Sequence, residues 1–343
     1  MKNWLNRLLG REPGLSRAPA NEDASPPATL DTATTMLARS ATDIDGLFHP
    51  WLLGVDAAAG LRPNETEVRL ARALGRIAGG TGQPVSGLVP RMPAVIPMLL
   101  QSLRDKDVSN AQLSQQIVQD PVLLAAVLRQ VNTSHYRRRA AIASIEQALA
   151  LLGQNGLRLL VASVAFKPML GQQSGHFTRT VAPRLVELSS HTALACRCLA
   201  ARLGADAFEV FLAGLLQNVG MMVALRAMDQ VHDGKEHLQS GKFCAVFADN
   251  ARRLSVRVGR EWAFPPQVVE AAGQAGLAAA APSTLAQAVR QADLLGKTRT
   301  LAHGGGIGMD EAECLIAELG ADGLACWQEL AERDADAGGP ESA

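Results

Sequence analysis

The sequence predicts an all-α fold, and three observations carry that prediction. Apolar residues recur at helical spacing through most of the chain. Residues that open and close helices return at short intervals. The β-branched alternation that a half-buried strand needs is rare. The chain has 343 residues and is 48% hydrophobic, enough to bury a full core in one large or two modest domains. Lys plus Arg and Asp plus Glu balance at 33 each, so no net field draws the chain to nucleic acid or anionic lipid; either contact would need a local patch.

The first element is MKNWLNRLLGRE, which places Trp4, Leu5, Leu8 and Leu9 at helical spacing among Lys2, Arg7 and Arg11. Residues 1–12 therefore read as a short amphipathic helix, able to make weak contact with a membrane or a partner. A frayed end is the plainer alternative for so short a segment. Residues 13–40 turn to Pro, Ala, Ser, Asn and Asp and read as a disordered linker, too poor in apolar groups to offset chain entropy. Apolar content returns over residues 41–84, a helical preface whose TEVRLARALGRIAG stretch stops at Gly79-Gly80.

Capping residues then mark one helix after another. Ser109 and Gln112 have capping-box spacing ahead of Leu113, Ile117 and Val118. Asp120 followed by Pro121 opens PVLLAAVLRQVN, because the Asp accepts from free N–H groups while Pro sits where its missing N–H costs nothing. Ser144 and Gln147 repeat the capping box, and Gly153 is a stop suited to a positive φ. A helix over 182–203 ends at Gly204. The next, DAFEVFLAGLLQNVGMMVAL, is apolar nearly all round and so belongs at the centre of its domain. Helices follow from the Pro265-Pro266 pair and after Pro282. HGGGIG reads as a flexible connector, since a phosphate cradle would need a preceding strand and a following Lys-Ser/Thr. A last pair of helices is expected near 310–318 and 323–333, within residues 306–335, followed by a disordered tail over 336–343.

The five cysteines form no CxxC pair and are too sparse for a disulfide scaffold, which suggests reduced thiols in a cytosol. No uninterrupted apolar run reads as long enough to span a bilayer, and the N-terminus lacks the small-residue cleavage site of a secretory signal. The expected location is cytoplasmic.

Taken in order, LVPRMPAVIPMLL, QDPVLLAAVLRQVN with Asn132 and Tyr136 beyond it, IASIEQALALLG, LRLLVASVA, HTALA, AGLLQNVG and WAFPPQVVEAA resemble the HDOD domain over about residues 88 to 300. The resemblance implies a domain over 85–305, with an N-terminal helical subdomain leading into one shaped like the HD metal phosphohydrolases. In those enzymes a His, an adjacent His-Asp pair and a distant Asp hold metal that activates water for attack on phosphorus. Carried over by position, the first His falls on His191 and the distant Asp on Asp293. The His-Asp pair falls on Gln217-Asn218. Side-chain amides are poor metal ligands, and the sequence after PPQVVEAA reads GQAG where some relatives carry auxiliary histidines.

The resemblance therefore implies a chain that kept the scaffold and lost the chemistry: not an enzyme, no metal, no cofactor. His191, Gln217, Asn218 and Asp293 would line a vestigial pocket. Each also has a plainer reading. His191 can be a satisfied core or surface histidine, and Asp293 a surface carboxylate or the partner of Arg290. Gln217 and Asn218 can be polar cross-links between buried helices, since an unpaired buried amide costs roughly 1–3 kcal/mol. Arg137, Arg138 and Arg139 stand where relatives are usually small; they read as a solvated loop or as a contact for an anion or acidic partner.

The function expected is a non-catalytic signalling or regulatory module that binds a protein partner, with a small ligand as a further option and nucleic acid not expected. The alternative is an active HD-type metal phosphohydrolase or cyclic-dinucleotide phosphodiesterase. A nucleic-acid binder using the three arginines is the third reading, weakly supported by one short basic run.

Overall fold

The structure, a computed structural model, describes residues 44–81, 87–89, 92, 95–104, 114–115, 117–132, 142–170, 175–232, 236–274 and 282–337. The amphipathic segment 1–12, the linker 13–40, the Ser109 and Gln112 capping box, the arginines 137–139 and the tail from 338 lie outside the described residues. Among the described residues there are twelve α-helices, a single 3-10 turn and no strand. The helices are α1 Ile44–Leu53, α2 Glu65–Gly79, α3 Val95–Arg104, α4 Pro121–Val131, α5 Ile145–Leu170, α6 His176–Leu203, α7 Ala207–Val231, α8 Gly241–Glu261, α9 Pro266–Gln274, α10 Thr284–His303, α11 Met309–Ala317 and α12 Gly320–Ala337.

Side-chain and glycine caps start and stop them. Asn64 caps α2, accepting from the Glu67 N–H at 2.8 Å, while the Glu67 carboxylate accepts from the Asn64 N–H at 2.9 Å. The other Glu67 oxygen accepts from the Gln239 and Ser240 N–H groups at 2.8 Å each, tying this buried cap to the start of α8. Helix α2 ends with Gly80 at φ 82°. One Asp120 oxygen accepts from the Val122 and Leu123 N–H groups at 3.0 Å. Beyond α4 the Asn132 side chain exchanges two 2.8 Å hydrogen bonds with the Ile142 backbone, accepting from its N–H and donating to its carbonyl. Gly153 interrupts α5 at φ 69°, so the expected stop appears as a break between two helical segments.

Helix α6 departs from expectation: it begins at His176, a turn and a half before Ala182. Its first turn is capped from a distance. Asp229, near the end of α7, accepts from the Phe177 N–H at 2.7 Å and from the Thr178 N–H and hydroxyl at 3.1 and 2.7 Å. Helix α7 opens on Asp206, whose carboxylate accepts from the Phe208 and Glu209 N–H groups. It is buried on nearly every face and packs against α2, α5, α6, α8, α9 and α10.

By length and composition alone, Ile145–Lys167 and Ala207–Val231 are apolar enough to cross a membrane, which corrects the expectation that no run is long enough. In the second, 89% of the apolar window is buried inside the fold; the first is broken at Gly153. The requirements of a core helix and of a spanning helix overlap in composition, because both face apolar surroundings on all sides.

The preface packs directly on the later helices. Helix α1 lies against α6, α8 and α10, and contributes Phe48 and Leu52, both fully buried. Arg184 of α6 holds its end, donating to the Trp51 and Leu52 carbonyls at 2.6 and 3.1 Å, with its guanidinium 4.4 Å from the Trp51 ring centre. Trp51 also explains HGGGIG. A Cβ on Gly304 would lie 2.2 Å from the Trp51 ring and one on Gly306 would lie 2.8 Å from it. The segment is therefore a turn packed against an indole: Gly304 and Gly306 are required by close approach, and Gly305 by its φ of 70°. The final helices run 309–317 and 320–337, the second extending past both expected ends. All five cysteines are free thiols, and only Cys314 is exposed.

Candidate functional site

A cavity of about 200 Å³ opens between α1, α7, α8 and α10, lined by Asp45 and His49, by Gln217 and Met221, by an α8 face that includes Asp249, Arg252 and Ser255, and by Asp293 and Lys297. Each wall has a local cause. Asp45 and His49 are four residues apart on α1, Gln217 and Met221 four apart on α7, and Asp293 and Lys297 four apart on α10, so each pair projects from one face of its helix.

Of the four residues the sequence proposes for a pocket, the structure brings Gln217 and Asp293 to this cavity. Asn218 follows Gln217 by a third of a turn and is buried without lining it. His191 does not line it either; its Nδ1 lies 3.0 Å from the Thr300 hydroxyl, and its ring stands edge-on to that of His303. The Gln217 Oε1 atom is fully buried and has no hydrogen-bond partner among the described residues.

The chemistry of the cavity is set by Lys297. Its ammonium lies 2.6 Å from Asp293 Oδ2 and 2.5 Å from Asp45 Oδ1, so Asp293 is a buried partner of Lys297 and not a surface carboxylate. Burial by itself would raise the Asp45 carboxyl, but the Lys297 and His49 charges outweigh it and push it down to about 2. Asp293, more deeply buried, is shifted the other way: desolvation and the nearby Asp45 charge together outweigh the pull of Lys297. Burial would lower the Lys297 ammonium, and the two carboxylates override that and hold it charged. His49 is driven down by burial, and its Nδ1–H donates to the Asp45 carbonyl at 2.8 Å.

A metal ion of the kind the HD pattern implies does not fit these residues. The central dyad is two amides, one carboxylate is already neutralised by an ammonium, and that ammonium stands beside the oxygen a cation would need. Direct Coulomb repulsion adds to the weakness of the ligands.

Sequence reasoning missed Asp45, His49 and Lys297. Lys297 was legible, four residues after Asp293 on the same helix face. Asp45 and His49 carried only the same i, i+4 spacing to each other, and nothing in their segment shows that it folds back onto α10, some 250 positions later.

The HDOD domain model matches residues 89–275, more than half of the chain. Among solved structures, the chain is similar to an HDOD domain protein of unknown function from Geobacter sulfurreducens, at 19% identity over 79% of this chain and 98% of that one, TM-score 0.55. It is similar to a candidate metal-dependent phosphohydrolase from Shewanella amazonensis SB2B, at 18% identity over 79% and 99%, TM-score 0.53. A candidate signal transduction protein from Marinobacter aquaeolei VT8 matches at 18% identity over 83% and 66%, TM-score 0.52. At these identities the likeness concerns the fold. No curated protein matches the chain. The family match ends before α10 and begins after α2, so Asp45, His49, Asp293 and Lys297 all lie outside it.

Proposed function

This chain belongs to the HDOD domain family, and from that premise we propose that it is a non-catalytic signalling or regulatory protein, acting through its helical surface and the α1–α7–α8–α10 cavity on a protein partner. A small polar ligand is the second occupant this cavity could take, and a cytoplasmic setting with reduced thiols belongs to the same reading. The observation that carries it is the Lys297 ammonium between Asp293 and Asp45. A tethered cation occupies Asp293, the one carboxylate of the HD pattern, and Gln217 and Asn218 supply neither charge nor a good lone pair in compensation.

The test compares three full-length proteins: the natural chain, the Gln217→His/Asn218→Asp pair, and that pair with Lys297→Ala. Each is assayed for hydrolysis of a cyclic dinucleotide with manganese present. The expected outcome is no turnover by the natural chain, with any gain confined to the variant in which the ammonium is also gone. Turnover by the natural chain that is lost on Asp293→Asn would overturn the proposal in favour of an active phosphohydrolase.

A further inference from the structure

We propose that Glu187, His191 and His303 form a binding site for a divalent first-row transition metal ion, built from α6 and the end of α10 and separate from the Lys297 cavity. One donor atom from each of the three residues lies within 4.8 Å of the other two. His303 Nδ1 is 3.5 Å from Glu187 Oε1, and the His191 and His303 rings are perpendicular with centres 5.1 Å apart.

The placement follows from helix geometry. Glu187 and His191 are four apart on α6 and share a face, and His303 follows Thr300 by three on α10. The two helices are held in register one turn away. A Cβ on Gly296 would lie 2.4 Å from the Thr192 hydroxyl, so α10 meets α6 there almost backbone to side chain.

The hydrogen bonds around His191 set its tautomer. The Thr300 hydroxyl donates to the Gly296 carbonyl at 2.7 Å, so its proton is committed. Its oxygen therefore accepts from His191 Nδ1–H at 3.0 Å. In the neutral ring this leaves the lone pair on Nε2, which is how a backbone-anchored hydroxyl fixes the tautomer of a metal-binding histidine. His191 is buried, whereas the side chains of Glu187 and His303 are 38% and 34% exposed. Two ligands can thus adjust, and the ion keeps a side open to water or a further ligand.

Two imidazoles and one carboxylate select a borderline transition metal such as zinc over magnesium or calcium, which prefer oxygen alone. Metal–ligand bonds of about 2.0–2.2 Å place tetrahedral ligand atoms about 3.4 Å apart. One pair is already at that separation, and closing the rest requires roughly an ångström of movement from side chains that reach solvent.

The experiment uses the full chain, stripped with a chelator, dialysed against micromolar zinc, and read by elemental analysis and by the zinc-dependent rise in Tm. One zinc per chain is expected, retained in Asp293→Asn and in Gln217→Ala, and bound at least tenfold more weakly in His303→Ala and in Glu187→Gln. Both of those side chains reach solvent, and melting in the absence of metal checks that the variants fold. Failure of the natural chain to bind zinc, or full retention by both His303→Ala and Glu187→Gln, would overturn the site. Zinc lost on Asp293→Asn but kept on His303→Ala would place the ion in the cavity, against this proposal and against the non-catalytic reading together. Zinc binding that follows His303 leaves the non-catalytic reading to its own hydrolysis test.

Discussion

Lys297 decides more of this molecule's chemistry than any other single residue. It is buried, with carboxylates from its own helix and from α1 as partners, and the Phe48 ring 5.8 Å away. A buried ion pair is weak evidence for stability as such, but breaking one is costly, because the remaining charge loses its partner and does not regain water. Lys297→Met is therefore expected to lower the unfolding free energy by about 3–5 kcal/mol, since it strands Asp293. Lys297→Met combined with Asp293→Leu should recover most of that loss, leaving only the more exposed Asp45 without its partner. Urea denaturation of the three proteins measures both effects; equal destabilisation of single and double variants would contradict the pairing. At this scale the sequence was partly readable: it singled out Gln217 and Asp293, which meet at one cavity, while the lysine that sets the charge there sat in plain view four residues from Asp293.

At the scale of elements, a helix start was legible where a local cap stood beside a second signal, as Asp120 does before Pro121. Asn64, Asp206 and Ser283 also cap the helix that follows within three residues, but these single polar residues were not singled out in the sequence. The start of α6 depends on Asp229, about fifty positions away, and no local pattern could place it. Glycines divide the same way. Gly80 and Gly204 close helices at positive φ, which sequence suggests. Gly220 lies inside α7 for a tertiary reason: a Cβ there would fall 2.0 Å from the Ser255 hydroxyl and 2.4 Å from the Ala251 carbonyl. Gly220→Ala raises intrinsic helix propensity yet is expected to destabilise by about 1–3 kcal/mol, because α7 and α8 would have to separate. Thermal denaturation reads the sign, and a more stable variant would show that the helices are not so closely packed.

At the scale of the whole molecule, the cavity joins four helices, so the titration of its groups is tied to global unfolding. The His49 imidazole is held below its ordinary value of 6.5, first by burial and then by Lys297, against the raising pull of Asp45. A group with a depressed folded value binds fewer protons folded than unfolded, so its contribution is present above the unfolded value and lost as pH falls below it. Stability should therefore decline from about pH 6.5 downward. Asp45, pushed down to about 2, adds a further loss only between its ordinary 3.8 and that value. Asp293, shifted upward, acts with the opposite sign, since its protonation relieves a buried charge. Comparing the natural chain with His49→Gln separates these terms: the variant should lose the decline just below pH 6.5 and keep the steeper acid unfolding. Identical pH profiles would exclude His49 as the cause.

The sequence by itself determined the all-α class, the central place of α7 and the family, because each rests on periodicity, capping and motif order within short stretches of chain. It also singled out Gln217 and Asp293, which share one cavity. Tertiary structure alone decided what else lines that cavity. It brought Asp45 and His49 of the preface onto α10, placed an ammonium between two carboxylates, and separated His191 from Gln217 and Asp293 to stand beside Glu187 and His303. Such meetings depend on how whole helices pack across long sequence separations, and a local pattern carries no record of its distant partner.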